Sequence, residues 1–118
     1  MTLFRATDGK PAVHPFFDDN YVTDGPFLLR TDDERLHMLW ASYGADGEYL
    51  QLTAHSDNNE IDGKWTVDRE LLFSDDGGHG MVFRSFSGEL MLVLHSPNTL
   101  LAEHPVFFKM AYDKKFMI

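Results

Sequence analysis

The chain of 118 residues contains no cysteine. That excludes disulfides, thiol nucleophiles and Cys-ligated zinc, and it fits a reducing compartment. Basic residues are scarce: 10 Lys and Arg stand against 19 Asp and Glu, a formal net charge of −9. No Lys/Arg cluster breaks the excess, so no nucleic-acid partner is expected, because phosphate binding needs local positive charge. Long hydrophobic runs are missing too. No stretch approaches the roughly 18 apolar residues of a membrane-spanning helix, and MTLFRATDGK lacks a secretion signal's basic-then-apolar pattern. The expectation is a cytoplasmic chain with no membrane partner. His14, His37, His55, His95 and His104 show no H-x₃-H or H-E-x-x-H spacing, so a zinc hydrolase is unsupported. No G-x-S-x-G motif or phosphate-cradling loop is present either.

What the sequence does have is aromatic and branched residues in short runs: FLLR (27–30), LHMLWASY (36–43), YLQLTAHS (49–56), MVFRSF (81–86), ELMLVLHS (89–96) and PVFFKMAY (105–112). Turn residues bound each run, and no segment sustains a capped 3.6-residue period. The fold class is all-β. Trp40 and Trp65 lie in apolar strands and are expected in the core.

The chain also matches itself. Shifted by 54 residues, DGPFLLRTDDERLHMLWASYG (24–44) lies ungapped on GHGMVFRSFSGELMLVLHSPN (78–98). Arg30 falls on Arg84, Leu36 on Leu90 and Ser42 on Ser96. As third strands, YLQLTAHS is matched with VFFKMAYD after a slightly longer connection, and GKWTVDRELLF adds a fourth strand to the first unit. The beginning, TLFRATDG, resembles LLFSDDGG at the end of that unit. Units of about 40–50 residues with four short strands are propeller blades. The predicted architecture is a partial β-propeller of about two four-stranded antiparallel blades. Residues 1–20 would end a preceding blade and cross over, 21–74 would form one blade, and 75–118 the final one. A small β-sandwich is the alternative. Two blades cannot close a ring, so either further N-terminal blades or self-association must cover the open faces.

Two strand openings could carry chemistry. Asp24, before Gly-Pro, reads from the residues alone as an Asx turn, or else as a carboxylate at a pocket mouth. His79, in GGHGM, reads as a histidine in a glycine-rich turn or as one facing the same axis.

These motifs, VTDGPFLLR, LHMLWASYG, IDGKW, GGHGMVFRSFSGELMLVLHSPN and EHPVFF, resemble the C-terminal part of family 43 glycoside hydrolases. Members of that family are five-bladed propeller enzymes acting on arabinose- and xylose-containing glycans. The resemblance covers nearly the whole chain but only the last two blades of the family fold. It implies that Asp24 occupies the general acid's position, one methylene shorter than the usual glutamate. It implies that His79 helps hold a metal ion, commonly Ca2+, near the axis. Separately, Phe16, Phe27 and Arg84 are expected to line the substrate pocket. Inversion also needs a base carboxylate, roughly 6.5–9.5 Å from the acid. The family's base and its tuning aspartate lie on blades with no counterpart here. The expectation is therefore a fragment inactive alone. A carbohydrate-binding or self-assembling module without hydrolase activity is the alternative.

Overall fold

A computed structural model describes residues 1–9, 22–44 and 46–118. A short 3-10 turn, Ala6–Gly9, precedes nine strands: β1 (Asp24–Arg30), β2 (Leu36–Tyr43), β3 (Tyr49–Ser56), β4 (Trp65–Val67), β5 (Gly78–Arg84), β6 (Leu90–Ser96), β7 (His104–Lys109), β8 (Ala111–Tyr112) and β9 (Phe116–Met117). Three antiparallel sheets result, ordered β1-β2-β3-β4, β5-β6-β7 and β8-β9. This is an all-β partial propeller. Among the described residues no helix is long and apolar enough to cross a membrane.

The 54-residue repeat governs the pairing. Phe27 pairs with Leu39 and Arg30 with Leu36; one repeat later Met81 pairs with Val93 and Arg84 with Leu90. The offset also holds through the third strands. His37 opposite His55 becomes Met91 opposite Lys109, and Ser42 opposite Leu50 becomes Ser96 opposite His104. The match of YLQLTAHS to VFFKMAYD is thus corrected by three residues: its partner is EHPVFFKM, with no longer connection. Apolar character misleads there because Met110, Ala111 and Tyr112 extend the run beyond β7. Among the described residues the second blade also has three strands rather than four, followed by the β8-β9 hairpin.

Side-chain alternation gives each blade two faces. On one face of the first sheet Met38, Trp40, Leu52, Ala54 and Trp65 form a core, with Leu3 and Phe4 packed against it. Both tryptophans are therefore core residues. The opposite face sends Phe27, Leu29 and fully buried Leu39 against Val82, Leu92, Leu94 and Phe108 of the second sheet. Each fully buried aliphatic side chain contributes about 1.5–3 kcal/mol, so this seam joins the blades firmly. Gln51, also fully buried, bridges it: its amide donates to the Trp40 carbonyl (2.8 Å) and accepts from the Gly80 N–H (2.7 Å). The repeat equivalent of the first sheet's seam face is bare on the second, where Met81, Phe83 and Phe107 are exposed.

The identities within the repeat have structural causes. Arg30 donates to the Glu34 carbonyl (2.9 Å), and Arg84 donates to the equivalent Gly88 carbonyl (3.1 Å). Each arginine laces its own hairpin turn, where Glu34 and Gly88 take positive φ. Ser42 accepts from the Val22 N–H (3.1 Å) and Ser96 donates to the Asp75 carbonyl (3.0 Å). Both serines therefore fasten the segment leading into an inner strand.

Candidate functional site

β1 and β5 begin with the same irregularity. Asp24 pairs with Ala41 and Phe27 with Leu39; Gly78 pairs with His95 and Met81 with Val93. Three steps on one strand thus oppose two on its partner, which is a β-bulge. The second residue of each opening lies in the left-handed region: Gly25 at φ 53° and its repeat mate His79 at φ 57°. Glycine adopts this readily, whereas histidine there is uncommon. A Cβ on Gly25 would also lie 2.7 Å from His79 Cγ. The imidazole therefore occupies the space that glycine leaves empty.

The bulges turn both openings toward one point. His79 Nδ1 lies 3.8 Å from Asp24 Oδ2, both side chains about half exposed. Asp24 Oδ2 accepts from the Tyr49 hydroxyl (2.5 Å) and Oδ1 from the Gly25 N–H (2.9 Å). One carboxylate thus closes its local turn and also faces His79. The Tyr49 hydrogen bond is the main cause holding the Asp24 carboxyl below its ordinary range, with partial burial opposing and Gly25, His79 and His95 assisting. Burial, reinforced by the Asp24 bond, pushes the Tyr49 hydroxyl up. At neutral pH the pair is a phenol donating to a carboxylate.

Tyr49 is fixed from three sides. Its ring stacks on His95 (5.4 Å, 16°), and its backbone N–H donates to Asp76 Oδ1 (2.9 Å). Gly78 passes beneath the ring, where a Cβ would come within 2.5 Å of Cε2. Asp76 Oδ2 accepts from the Asn98 N–H (3.0 Å), and the Asn98 side chain meets His95 Nε2 (2.9 Å). Tyr49, Asp76, His95 and Asn98 were not legible as site residues. The available signal is register: Ala41 faces both Asp24 and Gln51, which places Tyr49 beside the opening.

Of the residues named from sequence, Asp24 and His79 come together. Phe27 does not join them; it packs into the seam core. Arg84 ends β5, five steps from His79 and so about 17 Å along the strand. There it meets Asp32 (3.3 Å) and its own turn. Phe16 lies outside the described residues. Among the described residues no group of three or more His, Asp or Glu side chains is arranged to hold a metal. Calcium takes roughly six to eight oxygens, so His79 and Asp24 do not themselves make that site.

A carboxylate and an imidazole at the openings of neighbouring inner strands define a partial propeller with a polar site at its blade seam. The chain as a whole is similar to the crystal structure of an endo-arabinase from Bacteroides thetaiotaomicron VPI-5482. The match has a TM-score of 0.81 and 40% identity over 94% of this chain. The chain spans 40% of that enzyme's length. No family model and no curated protein matches the chain.

Proposed function

We propose that this chain forms the acid-side wall of an arabinan-degrading glycoside hydrolase of the family 43 type and does not hydrolyse glycans by itself. The observation that carries this reading is the convergence of Asp24 and His79, 3.8 Å apart, at two strand openings. Their setting is a chain 40% identical to an endo-arabinase. A fold alone would not assign an activity. The similar enzyme's activity favours arabinose- over xylose-containing glycans.

The chemistry explains the expected inactivity. A general acid must hold its proton near neutral pH, which takes desolvation or a neighbouring negative charge. Tyr49 does the reverse to Asp24. A carboxylate that raises Asp24, the opposing base and most oxygens of a Ca2+ site would all come from further blades. The test is reducing-sugar release from linear arabinan. The purified chain is expected to give none above the blank. Turnover lost in Asp24→Asn would contradict the inert-fragment reading.

The bare outer face of the second blade supports a second reading, a self-associating module. Met81, Phe83 and Phe107 are 52%, 41% and 57% exposed, although the equivalent face of the first blade is a buried seam. Light scattering decides it: a stable monomer excludes association of copies through this face, and a dimer dispersed by Phe83→Glu supports it.

A further inference from the structure

The β8-β9 hairpin has little support of its own. Each of its strands has two residues, and among the described residues neither pairs with a strand outside the hairpin. A two-stranded hairpin is marginally stable at best in water, so this one depends on what its side chains rest on. It follows β7 of the second blade and reaches across to the first. Phe116 joins the seam core beside Leu39 and Leu92, and Lys115 pairs with Glu70 (3.2 Å). Both members of that ion pair are well exposed, so it holds little. The hairpin thus straps the two blades together. It does so at the end away from Asp24: β3 runs from Tyr49 to His55, opposite His37, six steps or about 20 Å.

The anchor beneath it is a histidine. Tyr112 and Phe116 pack on His37, whose ring meets theirs edge-on at 5.0 and 4.9 Å, and the two aromatic rings lie 4.9 Å apart. His37 is 4% exposed, and both its ring nitrogens are sealed from solvent without a hydrogen-bond partner. Buried polar groups are rarely left unpaired, because each one costs stability. A neutral imidazole bears that cost as a small polar ring among aromatic ones. An imidazolium would bear the far larger cost of a buried ion. Aromatic rings attract a cation, but less than the water it gives up.

No counter-ion is placed to offset that charge. Among the described residues no carboxylate lies within ion-pair distance of His37. Asp33, in the turn before β2, accepts from the Thr31 hydroxyl (2.5 Å) and faces Arg35 (3.8 Å). Asp68, after β4, accepts from the Thr53 hydroxyl (2.6 Å) and meets His55 Nδ1 (2.8 Å), while Glu70 is taken by Lys115. The other charged or titratable neighbours add positive charge or gain it in acid. They are Arg35, which meets the Tyr112 hydroxyl, His55 with its ring 6.5 Å away, and Arg69 and Lys114 around the same hollow. Burial is the main cause holding the His37 imidazole below 6.5, with Asp68 and Asp33 opposing and His55 and Arg35 assisting.

We infer that the β8-β9 hairpin is an acid-released strap, fastened across the blade seam while His37 is neutral and lifted off when His37 takes up a proton. The direction follows from linkage. With the hairpin lifted, the imidazole meets water and returns toward 6.5; with the hairpin docked, it is held lower. Above 6.5 both forms are neutral and docking is unaffected. Below it the lifted form takes up the proton first, so the lifted-to-docked ratio rises by up to about tenfold per pH unit until the docked ring titrates as well. Release takes Phe116 out of the seam core, while Tyr49 and His95 stay stacked at the opposite end. The inference is independent of any hydrolase activity.

The test follows the full chain by NMR from about pH 7.5 down to about pH 5. Ring-to-ring contacts of His37 with Tyr112 and Phe116 are expected at the neutral end and lost toward the acid end. Their loss should track proton uptake at His37, while the amides of β2 and β6 stay protected from exchange. His37→Phe, which fills the same place and takes no proton, should keep the hairpin docked throughout. His104→Gln, at an exposed histidine, should release it as the parent does. The parent titration decides even if the His37 variant does not fold. A hairpin still docked at the acid end, or one whose release does not track His37, would overturn the strap. So would release at the same pH in His37→Phe, or loss of β2 and β6 protection together with the hairpin.

Discussion

The imidazole of His79 sits over Gly25, its repeat mate, with Nδ1 3.8 Å from the Asp24 carboxylate. Two bulged strand openings, 54 residues apart in sequence, therefore interlock only because one carries no side chain. Gly25→Ala meets two obstacles at once, a positive φ and a Cβ 2.7 Å from the ring. It should destabilise by about 1–3 kcal/mol in urea denaturation. His79→Gly, which relieves a left-handed histidine, should be neutral or stabilising by up to about 1 kcal/mol.

Tyr49 holds the Asp24 carboxyl below its ordinary range. Removing the phenol with Tyr49→Phe should raise the Asp24 carboxyl toward the ordinary aspartate value, read from its ¹³Cγ shift against pH. The sign for stability follows from a folded-state value held low: the contribution is present above the unfolded value and lost as pH falls through the folded one. Tyr49→Phe should therefore flatten the acid limb of the stability profile.

His37 acts at milder acidity. Burial is the main cause pulling it below 6.5, with Asp68 opposing and His55 assisting. Asp33 and Arg35, the other charged groups facing it, act in opposite directions. Above 6.5 the imidazole is neutral whether the chain is folded or unfolded. Below it, the unfolded chain takes up a proton that the covered ring resists, so stability falls. The drop in unfolding free energy between about pH 7.5 and about pH 5.5 should be smaller in His37→Phe than in the parent.

The blades were legible because repetition and strand alternation are properties of the chain itself. A single 54-residue offset reproduces both hairpins and their bulges. Asp24 and His79 were legible for the same reason, each standing in the opening of an inner strand, one position apart in the repeat. Arg30 and Arg84 show the opposite case. Arg84 was named as a pocket residue, yet it and its repeat mate Arg30 both serve their own hairpin turns. Equal residues at equivalent positions report equal local geometry before they report function. Tyr49, Asp76 and Asn98 depend on contacts between blades, where one blade's third strand meets the other's opening. No pattern within either repeat specifies such contacts. The three-residue slip at β7 has a related origin, since apolar composition alone does not mark where pairing stops.

The proposed function has Asp24 and His79 together face an arabinan chain. Arabinotriose titrated into the ¹⁵N-labelled protein tests it most directly. Saturable amide shifts are expected, centred on Gly25, His79 and Gly80 and lost in both Asp24→Ala and His79→Ala. Saturable shifts confined to residues away from the two strand openings, or none at all, would contradict it.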